Sequence, residues 1–115
     1  MNWGYGNELA VHMNLSSLKK AINNGQYLWR KHALARLAER GIKQEEALEV
    51  IQEGEVIENY PDDAPYPSCL IFKKINERPI HVVVALDSED DFAYIITVYE
   101  PSSEEFESDF KTRRN

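Results

Sequence analysis

Apolar positions along the chain change rhythm once. Up to Gly54 they recur at helical spacing, and from Glu55 to Glu100 they alternate with a period near two. Ser16 or Ser17 is placed to cap a short helix in which Leu18 and Ile22 share a face, with Asn24-Gly25 ending it. YLWR (27–30) reads as a short extended piece leading to His32. HALARLAER (32–40) reads as helix, with Ala33, Leu34, Leu37 and Ala38 on one apolar face and Gly41 at its end. A further helix runs from about Gln44 to Glu53. It buries Ala47, Leu48 and Ile51, carries Glu45 and Glu46 where the macrodipole favours acids, and stops at Gly54.

Four strand candidates follow: EVIENY (55–60), CLIFKKI (69–75), PIHVVVALD (79–87) and FAYIITVYE (92–100). PDDAPYPS (61–68) is a Pro-punctuated loop, while Asn76-Glu77 and SEDD (88–91) are short enough for hairpins. The order predicts an α+β fold, two or three N-terminal helices packed on one face of a four-stranded antiparallel β-meander. With no repeat, low-complexity tract or linker, residues 1–115 read as a single domain. Residues 1–13 have no clean periodicity and read as a flexible N-terminal extension.

Composition narrows the class. Hydrophobic residues make up 43% and charged residues 29% of the 115, which excludes a disordered or collagen-like chain. No apolar run approaches the length of a membrane span. The opening MNWGYGNELAVHM has neither the basic nor the apolar region of a signal peptide. Cys69 is the single cysteine, so no internal disulfide or multi-cysteine zinc pattern exists, and a reducing cytoplasm is the expected compartment. The net charge of −7 is uneven: residues 1–54 carry seven Lys/Arg against six Asp/Glu, and residues 55–115 six against fourteen. Binding depends on the local field, so the acidic total does not exclude a nucleic-acid partner.

Candidate chemistry centres on His12, His32 and His81, the three imidazoles. His32, Arg36 and Arg40 stand at i, i+4 and i+8, a polar stripe on one helix face. There one imidazole can move a proton while guanidinium forks hold phosphate oxygens. The same spacing equally fits Arg36 paired with Glu39 or with the acidic second half, and His32 as a helix-end residue. His81 shares a sheet face with Val83; it reads as structural unless that face also carries Thr97 or Tyr99, or meets the helix bearing His32. Tyr60, Tyr66, Tyr94 and Tyr99 can stack on bases or simply lie half-buried in the sheet. No GxSxG, phosphate-cradling Gly-rich loop or HExxH is present, so neither a metal nor a cofactor is expected.

KHALARLAERGI, EVIQEGEVIENYPDDAPYPSCLIF, RPIHVVVALD, IITVYEP and DFKTRR occur in this order. Together they resemble the small bacterial family catalogued as domain of unknown function 4258, over about residues 27–114. The resemblance implies a barnase/RelE-like ribonuclease-toxin fold. It also implies a small zinc-finger antitoxin as partner, and a toxin-type endoribonuclease working without metal. Three departures stand out: Lys43 where a Ser-like cap would serve, Glu77 at a hairpin position suited to glycine, and Phe106 where the family tends to have tryptophan.

On this reading His32 and His81 share the acid and base roles and Arg36 and Arg40 hold the phosphate. Tyr99, Thr97, Tyr66, Lys111, Arg113 and Arg114 complete the RNA-binding surface. The rival from another class is a non-catalytic protein- or RNA-binding module of the same fold. A third reading is a small-molecule enzyme acting on a phosphorylated metabolite, which requires a closed pocket.

Overall fold

A computed structural model describes residues 13–115. The expected N-terminal extension, and His12 with it, lies outside the described residues apart from Met13. The elements are α1 (Leu15–Asn23), β1 (Tyr27–Trp29), α2 (Lys31–Arg40), α3 (Gln44–Glu53), β2 (Glu55–Tyr60), β3 (Ser68–Ile75), β4 (Arg78–Asp87) and β5 (Phe92–Tyr99). The α+β class holds. The sheet, however, has five strands in the order β1-β5-β4-β3-β2, and β1 pairs parallel to β5. It is mixed, not the expected four-stranded meander; the meander survives as β2–β5.

Local chemistry explains most boundaries. The cap of α1 is Asn14, whose side chain accepts the Ser17 amide at 3.0 Å; Ser16 and Ser17 already lie inside the first turn. Gly41 ends α2 in the left-handed conformation at φ 63°, which costs glycine nothing. Only Ala33 and Leu37 of α2 are buried, and Leu34 stays 44% exposed. The predicted apolar face is therefore too wide: α2 lies along β5 near the sheet edge, and one narrow stripe suffices. At α3 the Lys43 amide donates to the Glu46 carboxylate at 2.9 Å, compensating for the absent Ser-like cap. Gly54 is required by space, since a Cβ there would sit 2.5 Å from the Val50 carbonyl oxygen and 2.6 Å from that of Phe72. Asn76 and Glu77 close the β3–β4 hairpin with φ of 52° and 69°, the twist that a two-residue turn demands even of a glutamate.

Alternation divides the sheet into two faces. Cys69, Ile71, Ile80, Val82, Val84, Ile95 and Val98 meet Leu18, Ala33, Leu37, Ala47, Val50 and Ile51 of the helices in the main core. The opposite face carries Leu70 and His81, both 0% exposed. What covers it is the C-terminal segment after β5, through Phe106, which is 1% exposed with its ring centroid 4.7 Å from that of His81.

Truncating that plug tests the two-sided core. Phe106→Ala is expected to cost about 3–5 kcal/mol in urea unfolding; a loss below about 1 kcal/mol would mean that the tail is not a packed layer.

Candidate functional site

The site grows from one irregularity in the sheet. Val83 pairs with Thr97 and Val84 with Ile95, so Ile96 is an extra residue, a β-bulge. Bulges re-aim side chains and are frequent beside functional sites. Beyond this one, Thr97 and Tyr99 stand opposite Val83 and His81 on the face away from the main core. The condition set for His81 by the sequence, a shared face with Thr97 or Tyr99, is thus met.

An open cavity of about 480 Å³ lies there, lined by Arg36 and Arg40 from α2, Thr97, Tyr99 and Glu100 from β5 and its end, and Ser102, Glu105 and Arg113 from the tail. The clamp that sets its rim is Arg78. It bonds the Glu100 carboxylate at 3.0 and 2.8 Å, the Gly41 carbonyl at 3.0 Å, and the Arg40 carbonyl. One guanidinium thereby ties the last carbonyls of α2 to the end of β5, a favourable place for a cation. Arg36 pairs with Glu39 at 2.6 Å, the alternative that the spacing left open. Arg113 bonds Glu58 at 2.8 Å and lies over the Phe106 ring, 4.7 Å from its centroid. Among the described residues Arg40 has no ion pair.

His81 is not in the cavity wall. Its Nε2 lies 2.7 Å from the Phe110 carbonyl oxygen, which can only accept, so the proton is on Nε2. Nδ1 then accepts the Tyr99 hydroxyl at 3.3 Å. Phe72, Tyr99 and Phe106 surround the ring edge-on. Burial lowers its pKa, outweighing the Phe110 carbonyl and the Glu58 charge, which act the other way. Burial likewise raises the pKa of the Tyr99 phenol, keeping it protonated. Beside it, burial would raise the Glu58 pKa, but hydrogen bonds from Arg113 and Tyr60 prevail and hold it low.

The other sequence candidates separate. His32 is exposed in the first turn of α2, one turn before Arg36, and does not line the cavity. The expected pair of imidazoles bracketing one phosphate is therefore not formed there: one ring is sealed under the tail, the other stands on the open helix face. Tyr66 stacks on Tyr94 beside a second, smaller pocket. Lys111 pairs with Glu55 at 3.2 Å, and Arg114 with Glu107 at 3.0 Å, both away from the arginine cavity. Glu105, Ser102 and the clamp Arg78 went unread in the sequence. The available signal was Phe106 and Phe110, two aromatics in an acidic tail that had to bury somewhere.

Among the described residues no group of three His, Cys, Asp or Glu is placed to hold a metal ion, and no helix is long and apolar enough to cross a membrane. Residues 29–100 match the model of a family described as a domain of unknown function, DUF4258. The chain belongs to this family. None of the curated proteins compared with it matches. The DUF4258 match takes in α2, the sheet from β2 to β5 and Glu100, but stops before the tail. Ser102, Glu105 and Arg113 thus complete from outside the matched region a cavity whose other wall lies inside it.

The buried imidazole gives a pH test. Its charged form is disfavoured in the folded chain, so below about pH 6.5 the unfolded chain binds more protons. Stability is full above that pH and declines as pH falls. The melting temperature is expected to drop between pH 7.5 and 5.5, with a flatter slope in His81→Gln; equal slopes would place the acid sensitivity elsewhere.

Proposed function

We propose that this chain is an RNA-binding protein of the endoribonuclease-toxin type, acting in the cytoplasm at the arginine cavity. The observation that carries the reading is the convergence of Arg36, Arg40 and Arg113 with the hydroxyls of Thr97, Tyr99 and Ser102 on one open cavity. Three guanidiniums and three hydroxyls suit a phosphodiester, and an open cleft admits a chain where a closed pocket would admit only a metabolite. The sequence resemblance to a toxin-like family supports the choice of RNA. It also supplies the expected partner, a small zinc-finger antitoxin.

In this reading the cavity's own groups take over the roles first given to the two imidazoles. Glu105 lines the cavity and has no ion-pair partner among the described residues, whereas Glu100 is held by Arg78. Glu105 accepts the proton of the ribose 2′-OH as that oxygen bonds to phosphorus. The arginines balance the charge gathering on the phosphorane. As the bond from phosphorus to the 5′-oxygen breaks, the Tyr99 hydroxyl turns from His81 Nδ1 and donates its proton to the leaving oxygen, and solvent returns the proton held by Glu105 to the phenolate. His81 is a positioning residue, aligning the phenol through Nδ1.

A second reading, the non-catalytic binding module, is favoured by one observation: among the described residues no imidazole lines the cavity. The two separate cleanly with purified protein and a labelled RNA. The enzyme reading expects products ending in 2′,3′-cyclic phosphate, formed equally in excess chelator. Tyr99→Phe and Glu105→Gln should each slow cleavage about 10²–10⁴-fold, while binding weakens with salt at a logarithmic slope of about −0.7 for the one phosphate held in the cavity. Tight, salt-sensitive binding with intact RNA selects the module; binding indifferent to salt refutes both. In growing cells, arrest on induction that is relieved by the partner gene is the toxin's expected outcome.

A further inference from the structure

A second recess adjoins the arginine cavity. Tyr66 and Tyr94 stack with centroids 5.4 Å apart and planes within 7°. The Arg30 guanidinium lies 5.2 Å from the Tyr94 ring centroid. Beside them is a pocket of about 170 Å³, lined by Arg30, Asp63, Pro65, Tyr66 and Ile96 among others. At ~30 Å³ per water that is five or six water volumes, room for one planar heterocycle and too little for a folded segment.

The bulge joins the two recesses. Ile96, its unpaired residue, lines the small pocket, and Thr97, the next along the strand, lines the arginine cavity. Consecutive strand residues stand ~3.3 Å apart, so the rims of the two recesses meet at the bulge.

The polar groups lining this pocket are complementary. Arg30 makes no ion pair among the described residues and keeps its guanidinium donors. Asp63 is fixed by accepting the Ala64 amide at 3.1 Å on one oxygen and the Ser68 hydroxyl at 2.7 Å on the other, with lone pairs remaining. A ligand matching both needs two adjacent acceptors on one edge and donors on another. Guanine has them: O6 and N7 for an arginine fork, N1–H and N2–H₂ for a carboxylate. Adenine offers the fork one acceptor, and the pyrimidines have no N7. The aromatic stack supplies a surface for a base of any identity.

The geometry points to a guanine subsite formed by Arg30, Asp63 and Tyr66, which seats one base of a strand whose phosphate lies against Arg36, Arg40 and Arg113. It rests on the RNA reading above and adds the base preference. The same chemistry would accept a free guanine nucleotide, so the test has both arms.

The test measures binding of 2′-O-methyl tetranucleotides, which resist 2′-attack, with one central G, A, C or U in a uridine background. Guanosine and adenosine 5′-monophosphates are measured in parallel. The expected result is a preference of about 5- to 100-fold for the G oligonucleotide. Arg30→Gln and, independently, Asp63→Asn should bring it to within about twofold of the others, with circular dichroism unchanged. Equal binding of all four oligonucleotides overturns the guanine subsite and leaves the phosphate cavity standing. Selective binding of the guanosine monophosphate without any oligonucleotide binding keeps the subsite and overturns the RNA reading. No binding in either arm overturns both.

Discussion

A hydrogen bond buried beneath the tail holds the second face of this sheet together. The His81 Nε2–H donates to the Phe110 carbonyl at 2.7 Å, in a layer where Leu70 and His81 are wholly buried and Phe106 nearly so. Leaving either partner of such a bond unsatisfied costs about 1–3 kcal/mol. Tail and sheet are therefore fixed to one another. With the tail in place Arg113 reaches Glu58 and the cavity, and Nδ1 of the same imidazole is free to take the Tyr99 hydroxyl. A residue that looks catalytic by type does its work here by placing others.

Charge is organised on the same principle. The chain is acidic in total, yet much of its acidity is answered locally: Glu58 by Arg113, Glu55 by Lys111, Glu100 by Arg78 and Glu49 by Lys73. Most of these pairs are partly exposed, so each contributes little to stability. Their consequence is positional. Arg78 fixes the end of α2 against β5 and so sets where Arg40 stands, a cation without an ion pair among the described residues.

Much of the fold was legible because it is local. Helical spacing and strand alternation are written in consecutive residues, and the β2–β5 meander needs only short connections. The extended piece at YLWR was legible, but its place in the sheet was not, because Tyr27–Trp29 carry no measurable alternation and find their partner about 65 positions later, in parallel register. The site was legible in part. Helix spacing alone put Arg36 and Arg40 together, and alternation put His81 on the face of Val83. What alternation cannot give is what lies over a face: whether His81 opened on solvent or was sealed depended on a tail of irregular structure. The bulge at Ile96, which joins the arginine cavity to the tyrosine pocket, is a matter of register and leaves no mark in composition.

The claim on which the rest turns is that the arginine cavity holds a phosphodiester. The most direct measurement is a crystal structure of the chain with a 2′-O-methyl dinucleotide. The bridging phosphate is expected between α2 and the tail, its oxygens about 2.7–3.2 Å from the guanidinium nitrogens of Arg40 and Arg113. A phosphate seated instead at the cavity of Lys73 and Lys74 across the tail, or bound nowhere on this face, would contradict it.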